Sequence, residues 1–293
     1  METFVLLTIT GLGLGAMYFL IASGLSLIYG LMGVLNFAHG AFLTIGAYGA
    51  WWLDGRIDGI GSLTLRFLID AAFALLVGGL VAALVELVLI RPLYQRHIEQ
   101  VLVTVGLSLA MVALIQSIWG PTERLFPAPD WLYDTTAVGG ASIPNNTWLE
   151  IAVAVGLLVG LMAFLRYTRY GLIIRAGVEN RAMVTALGIN VKRAFTLVFA
   201  IGGIAAALAG VLAGVHFGGI DPNQGTSLLI FAFIVVVIGG LGSIGGSAVA
   251  AVLVGLVQQY VNYESAGVGD LSVVLLLGIV LLIRPRGLSG AFA

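Results

Sequence analysis

The stretch VLNFAHGAFLTIGAYGAWW (residues 34–52) sets Asn36 and His39 among apolar residues, with Gly40, Gly46 and Gly49 close by. Asn36 can both donate and accept hydrogen bonds, as can the two ring nitrogens of a neutral His39, and Thr44 adds a hydroxyl. Such a set can contact a small polar solute, cap a helix start or cross-link helices. A lone histidine is a poor metal site, and His39, His97 and His216 lie far apart in sequence. A second glycine-rich interruption, VVVIGGLGSIGGSAVA (residues 235–250), carries Gly239, Gly240, Gly242 and Ser243. Breaks of this kind in apolar segments tend to lie at the substrate path of a transporter, as discontinuous helices. Asn36, His39, Gly40 and Thr44 are therefore expected to line or gate a pathway, with Gly239, Gly240, Gly242 and Ser243 as a second such set.

Other chemistries find no support in the residues. No GxxxxGK[ST] phosphate loop is present, and the sole lysine, Lys192, has no glycine-rich run before it. No HExxH, no GxSxG elbow with triad partners and no paired His/carboxylate cluster can be read from the spacing. The absence of cysteine excludes disulfides, thiolate metal sites and cysteine nucleophiles. The chain is expected not to be an enzyme.

The elements that must position these residues follow from composition. Of 293 residues 60% are hydrophobic and only 9% charged, against roughly 25% charged in soluble domains. Lipid is the solvent such a chain fits. A helix crossing the hydrocarbon needs about 20 apolar residues. Nine segments qualify, near 4–29, 36–53, 65–90, 100–119, 148–165, 196–216, 227–240, 247–263 and 269–283. Segments two, seven and eight are short or glycine-broken, so eight crossings are also possible. The expected architecture is an all-α polytopic bundle forming one domain over residues 1–293. The N-terminal METFVLL lacks a basic n-region, so a cleaved signal peptide is not expected.

Basic residues set the orientation. With the loop 166–195 placed in the cytoplasm, Arg166, Arg169, Arg175, Arg181, Lys192 and Arg193 share a side with Arg91, Arg96, Arg284 and Arg286. That is ten of the thirteen basic residues. The C-terminus is then cytoplasmic, and the loop 120–147 lies outside. Within the basic loop, Ile174, Val178 and Ala182, extended by Met183, Ala186 and Leu187, form an apolar stripe with Gly188 as a C-cap. This amphipathic helix fits either the lipid headgroups or a groove on a cytoplasmic partner. Glu86, near the cytoplasmic end of its segment, is expected to pair with Arg91 or Arg96. Gly202, Ala206, Gly210 and Gly214, and likewise Gly11 and Gly15, are expected to allow close helix packing.

Four stretches carry a resemblance: GLGLGAMYFLIASGLSLIYGLMGVLNFAHG (11–40), ALGINVKRAFTLVFAIGGIAAALAGVLAG (186–214), GGLGSIGGS (239–247) and RPRGLSG (284–290). In these the chain resembles the LivH-type permease subunits of branched-chain amino acid ABC importers. The resemblance implies a bacterial inner-membrane subunit that moves a small polar solute, above all branched-chain or other amino acids, by alternating access. It implies a second homologous permease of the LivM type, two ATP-binding subunits that carry ATP and Mg, and an extracytoplasmic solute-binding protein facing 120–147. No cofactor in this chain and no nucleic acid are implied. The amphipathic helix becomes a coupling helix, with Arg175, Glu179, Arg181, Ala182, Ala186, Leu187 and Gly188 meeting an ATPase. Ala41 stands where many relatives have Glu, and Gly245 where many have Pro, which leaves open urea, amides or small carboxylates as substrates. A self-sufficient channel or facilitator is the reading from a different class.

Overall fold

The computed structural model describes residues 1–57, 59, 61–179, 183–184, 188 and 191–289, with the backbone alone at Val178 and Glu179. Ten helices are described: α1 (Glu2–Met32), α2 (His39–Asp54), α3 (Leu63–Val85), α4 (His97–Trp119), α5 (Asn145–Tyr167), α6 (Arg169–Glu179), α7 (Val191–Phe217), α8 (Gln224–Gly239), α9 (Ile244–Glu264) and α10 (Gly269–Ile283). Six of them are long and apolar enough to cross a membrane, and α8 and α10 are shorter apolar helices. The 16 residues of α2 rise about 24 Å at 1.5 Å each, less than the ~30 Å of hydrocarbon. The glycines inside α2 do not break it: contrary to the discontinuous helix expected there, the break lies before it, at 33–38, and the second break is confined to 240–243.

Turns and connecting segments gather at two ends of the bundle, and α6 lies at one of them. One end gathers the N-terminus, the segments 120–144 and 218–223, and all five tryptophans (Trp51, Trp52, Trp119, Trp131 and Trp148). Here β1 (Arg124–Leu125) pairs antiparallel with β4 (Gly219–Ile220), and β2 (Thr135–Val138) with β3 (Ala141–Pro144). The β2–β3 turn is Gly139–Gly140, both at positive φ (59° and 87°), which suits a two-residue hairpin. A Cβ at Gly140 would touch the Glu2 carboxylate, so the hairpin covers the start of α1. The opposite end gathers the break at 33–38, the end of α3, α6, the 240–243 turn and residues 284–289. Nine described basic residues (Arg91, Arg96, Arg166, Arg169, Arg175, Lys192, Arg193, Arg284 and Arg286) belong to elements at this end.

Small residues decide the packing. Without a hydrophobic force between helices in lipid, backbones approach where side chains are absent. Gly11 and Gly15 of α1 lie against Gly255 and Ala251 of α9. The stripe along α7 serves several neighbours rather than one. Gly202 meets Gly24 of α1, Gly210 meets the Leu43 carbonyl of α2, and Gly214 meets the ring of Phe126. Residues four apart advance about 40° around a helix of 3.6 residues per turn, so three such steps wind the row from one partner to another. On its adjacent face, Gly203 and Ala207 receive Gly78 of α3 and Gly46 of α2. The main core is built from α1, α7, α8 and α9, and a smaller cluster around Tyr48, Phe126 and Leu132 closes the tryptophan end.

The end of α3 is irregular for a local reason. Pro92 has no N–H to donate and resists the α-helical approach of its ring to the preceding turn. The helix widens into a π-turn over Glu86–Ile90, in which Arg91 N–H donates to the Glu86 carbonyl five residues back, and ends in the 3-10 turn Arg91–Leu93.

Candidate gate and coupling regions

The half of α1 nearest the basic end is the hub to which both glycine-rich stretches attach. Gly33 ends α1 at φ 66°, its N–H donating to Tyr29 O. Asn36 Oδ1 accepts from Ala38 N at 3.1 Å, a local turn that leads the chain into α2. His39 is fully buried. Its Nε2–H donates to the Ile21 carbonyl of α1 at 3.0 Å, which fixes the tautomer, and a Cβ on Gly24 would run into the imidazole. Of the two structural roles weighed from the sequence, His39 takes the helix cross-link, whereas no side chain caps the start of α2 and Asn36 makes a turn ahead of it. Two buried polar atoms, Asn36 Nδ2 and His39 Nδ1, have no hydrogen-bond partner among the described residues. Further along α2, Gly40 crosses Gly225 of α8 with backbone against backbone, and Thr44 sits at the same crossing with its Oγ1 donating to Gly40 O at 3.3 Å. Phe37 stacks with Phe233 of α8, ring centroids 6.0 Å apart.

The second stretch is held from two sides. Ser243 caps α9, its Oγ accepting from Gly246 N at 3.0 Å. Gly240 and Gly242 take positive φ (98° and 85°), a region that favours glycine. Gly242 lies against Gly30 of α1, and Ser247 Oγ donates to Ser26 Oγ at 3.3 Å. The C-terminal segment straps the other side. Leu288 N donates to Ile238 O (2.8 Å) and Ser289 N to Gly239 O (3.2 Å), while Ser289 Oγ reaches the same Gly239 carbonyl. The structure thus joins two stretches that the sequence presents as separate motifs, GGLGSIGGS and RPRGLSG, the contact between Ser289 and Gly239 spanning 50 residues.

Of the coupling residues, Arg175 is exposed on α6, and Gly188 has φ 78°, the left-handed conformation expected of a helix C-cap. Arg181, Ala182, Ala186 and Leu187 lie outside the described residues, as does the side chain of Glu179. Ile174 is buried, whereas Met183 is exposed. The helix begins earlier than the apolar stripe suggests, because Thr168 Oγ1 accepts from Gly171 N at 3.0 Å and caps it.

Polar groups outside these stretches also tie helices to one another. Glu86 is fully buried and pairs with Arg91 rather than Arg96: Arg91 Nη2 lies 3.2 Å from Glu86 Oε2. Thr196 of α7 donates to the same oxygen at 2.7 Å, and the Tyr94 hydroxyl donates to Oε1. Glu150 of α5 and His216 of α7 meet at 2.8 Å, a His/carboxylate pair that no sequence spacing suggests. Its members stand 66 residues apart. Tyr18 of α1 donates to Gln258 of α9, which donates to Asp270 of α10, each at 2.8 Å.

A helical bundle with lipid-length apolar helices and two glycine-built turns at one end suits a membrane permease. The chain belongs to the family of branched-chain amino acid transport system permease components, whose model matches residues 7–284. Among individual relatives, it is 31% identical over 287 residues to the high-affinity branched-chain amino acid transport system permease protein LivH of Salmonella typhimurium, covering 96% of this chain and 93% of that protein. It is 30% identical to the corresponding permease protein BraD of Pseudomonas aeruginosa, with 96% and 94% covered. The fructose import permease protein FruF of Bifidobacterium longum is 29% identical, over 86% of this chain and 69% of its own length. No solved structure gives a significant match.

Proposed function

We propose that this chain is one permease subunit of an ATP-driven importer in a bacterial inner membrane. It crosses nine times with its C-terminus in the cytoplasm, and it admits branched-chain or other amino acids by alternating access. The observation that carries the reading is the 31% identity to LivH over 96% of the chain. The match to a fructose permease covers less of both chains, so an amino acid is favoured over a sugar. The orientation is supported by the basic residues gathered at one end and the tryptophans at the other. A LivM-type permease would complete the pathway, a solute-binding protein would deliver substrate to the 120–147 face, and two ATPases would bind beneath α6. ATP and Mg belong to those ATPases. Arg175, Glu179, Arg181, Ala182, Ala186, Leu187 and Gly188 form the coupling surface in this reading.

The gate is assigned to Asn36, His39, Gly40 and Thr44, with Gly239, Gly240, Gly242 and Ser243 at the neighbouring turn. Asn36, His39 and Thr44 are enclosed in the described packing. They therefore act as a latch between α1, α2 and α8 and not as the wall of an open path. The unpartnered Asn36 Nδ2 and His39 Nδ1 support a latch that opens, because an orphaned buried polar atom costs about 1–3 kcal/mol and another arrangement can satisfy it.

The central test is uptake of labelled leucine by the assembled complex in proteoliposomes with its binding protein. Substituting the phosphate-loop lysine of both ATPases should reduce uptake to background. Uptake that persists without the ATPases would establish the channel reading instead. For the latch, His39→Leu keeps the side-chain volume and removes the bond to Ile21, a loss of about 1 kcal/mol in stability. Uptake is expected to fall about tenfold while the yield of assembled complex stays near wild type; equal uptake would remove His39 from the gate.

A further inference from the structure

The basic end of the bundle holds a cleft beside the gate and coupling regions, sharing Gly242 with the one and Arg175 with the other. It opens between the end of α5, α6 and the start of α9, with a volume of about 520 Å³. Its two halves differ in chemistry. Val159, Met162 and Ala163 of α5 form an apolar wall, and Met162 is 54% exposed on the outer surface of the bundle. Arg166 and Arg175 stand at the other end, and the backbone of Gly242 and Gly245 forms the facing side. Neither arginine has a carboxylate partner among the described residues, whose ion pairs are Arg66–Asp54, Arg91–Glu86 and His216–Glu150.

The depth of the cleft is marked by its neighbours. Tyr167 is 78% exposed, and Tyr170 also faces outward; tyrosines of this kind settle at the headgroup level of a bilayer. The Arg166 guanidinium lies 5.6 Å from the Tyr167 ring, at that same level. Val159 is seven residues up α5, about 10 Å deeper at 1.5 Å per residue, and so within the hydrocarbon. A larger cleft that shares Gly242 and Gly245 carries Arg286, which adds a third positive charge nearby.

We propose that this cleft binds an anionic phospholipid of the adjoining leaflet, its phosphate between Arg166 and Arg175 and an acyl chain along Val159 and Met162. Basic pockets between membrane helices suit such headgroups. A soluble anion would leave the apolar wall unused, and two adjacent guanidinium groups disfavour the ammonium of a zwitterionic headgroup. The lipid would join α6 to α5 and α9, so Arg175 would face the membrane in addition to any partner below. The proposal rests on the bundle lying in a bilayer and not on the identity of the transported solute.

The test uses the purified full chain in detergent, titrated with phosphatidylglycerol or phosphatidylcholine and read by native mass spectrometry. Wild type should bind phosphatidylglycerol selectively. The double variant R166Q/R175Q should bind it roughly ten- to thirtyfold more weakly, given about 1 kcal/mol per basic residue near an anionic lipid. R166K/R175K keeps the charges and should retain most of the affinity, which separates lost charge from a damaged fold. Ala163→Trp fills the apolar half and should weaken phosphatidylglycerol binding without touching either arginine. Equal phosphatidylglycerol binding by R166Q/R175Q and wild type would overturn the proposal. So would equal binding of glycerol 3-phosphate and phosphatidylglycerol by wild type, since the site would then take a free anion and not a lipid.

Discussion

Gly225→Val should lower the yield of folded chain in the membrane several-fold. At the crossing of α2 and α8 a Cβ on Gly225 would overlap the Gly40 carbonyl oxygen and the Thr44 hydroxyl, and a Cβ on Gly40 would overlap the Gly225 carbonyl. The obstacle on the Gly40 side is backbone, so no flexible side chain can swing away. Nor can α2 retreat as a unit, because Gly46 is seated on Ala207 of α7. Overpacking a well-filled core costs about 1–3 kcal/mol, and a β-branched side chain against a fixed backbone belongs at the upper end. Native stabilities are only about 5–15 kcal/mol, so the monodisperse fraction in detergent should drop several-fold or more. Gly49→Ala on the same helix is the control: its nearest neighbours would be 4.0 Å from the added carbon, and a helix-interior alanine gains up to about 1 kcal/mol in propensity. A Gly225→Val chain as abundant and monodisperse as wild type would show that the crossing can relax.

Glu86→Ala should have the next largest effect. The Glu86 carboxylate accepts from Arg91, Thr196 and Tyr94 at once, tying the π-turn at the end of α3 to α7. Its removal takes the carboxylate from the Arg91 guanidinium, which keeps its bond to Thr196. Breaking a fully buried pair from one side costs about 3–5 kcal/mol. Because the Arg91 side chain is 30% exposed, water compensates in part and about 2–3 kcal/mol is expected. At roughly 2–4 °C per kcal/mol for a chain of this size class, the melting midpoint of the purified chain should fall by about 4–12 °C. The double variant E86L/R91L removes both charges and should recover much of the loss, since well-packed apolar replacements of a buried pair are often neutral. A double variant no better than Glu86→Ala would mean that the hydrogen bonds to Thr196 and Tyr94, and not the stranded charge, carry the effect.

The apolar segments were readable because lipid demands about 20 apolar residues in a row, a signal with no long-range component. For Glu86 the sequence showed the need for a basic partner but not which one: residues five apart stand about 140° apart on an α-helix, and the π-turn over Glu86–Ile90 is what brings Arg91 rather than Arg96 to it. Glu150 and His216 were not readable as a pair, since each stands alone in its own helix and only the folding of α5 against α7 joins them. The strap of residues 287–289 on Gly239 was equally hidden, because it is made by backbone atoms that any sequence supplies. The glycines of the opening stretch were legible as unusual but misread as helix breaks. Gly40 and Gly46 instead mark where α2 approaches α8 and α7, and a single sequence does not distinguish a weak helix from a close neighbour. The start of α6 was signalled by Thr168, whose capping role the apolar stripe alone does not reveal.

The pairing of α1 with α9 sets a timetable for biogenesis. Tyr18 and its partner Gln258 are 240 residues apart, so α1 meets its chief neighbour only after the intervening helices have been made. At about 5–20 residues per second, the glycine-lined face of α1 waits on the order of ten to fifty seconds for its cover. Throughout that interval the nascent chain depends on an insertase or on surrounding acyl chains to keep that surface from mispairing, and the strap at 287–289 is made later still.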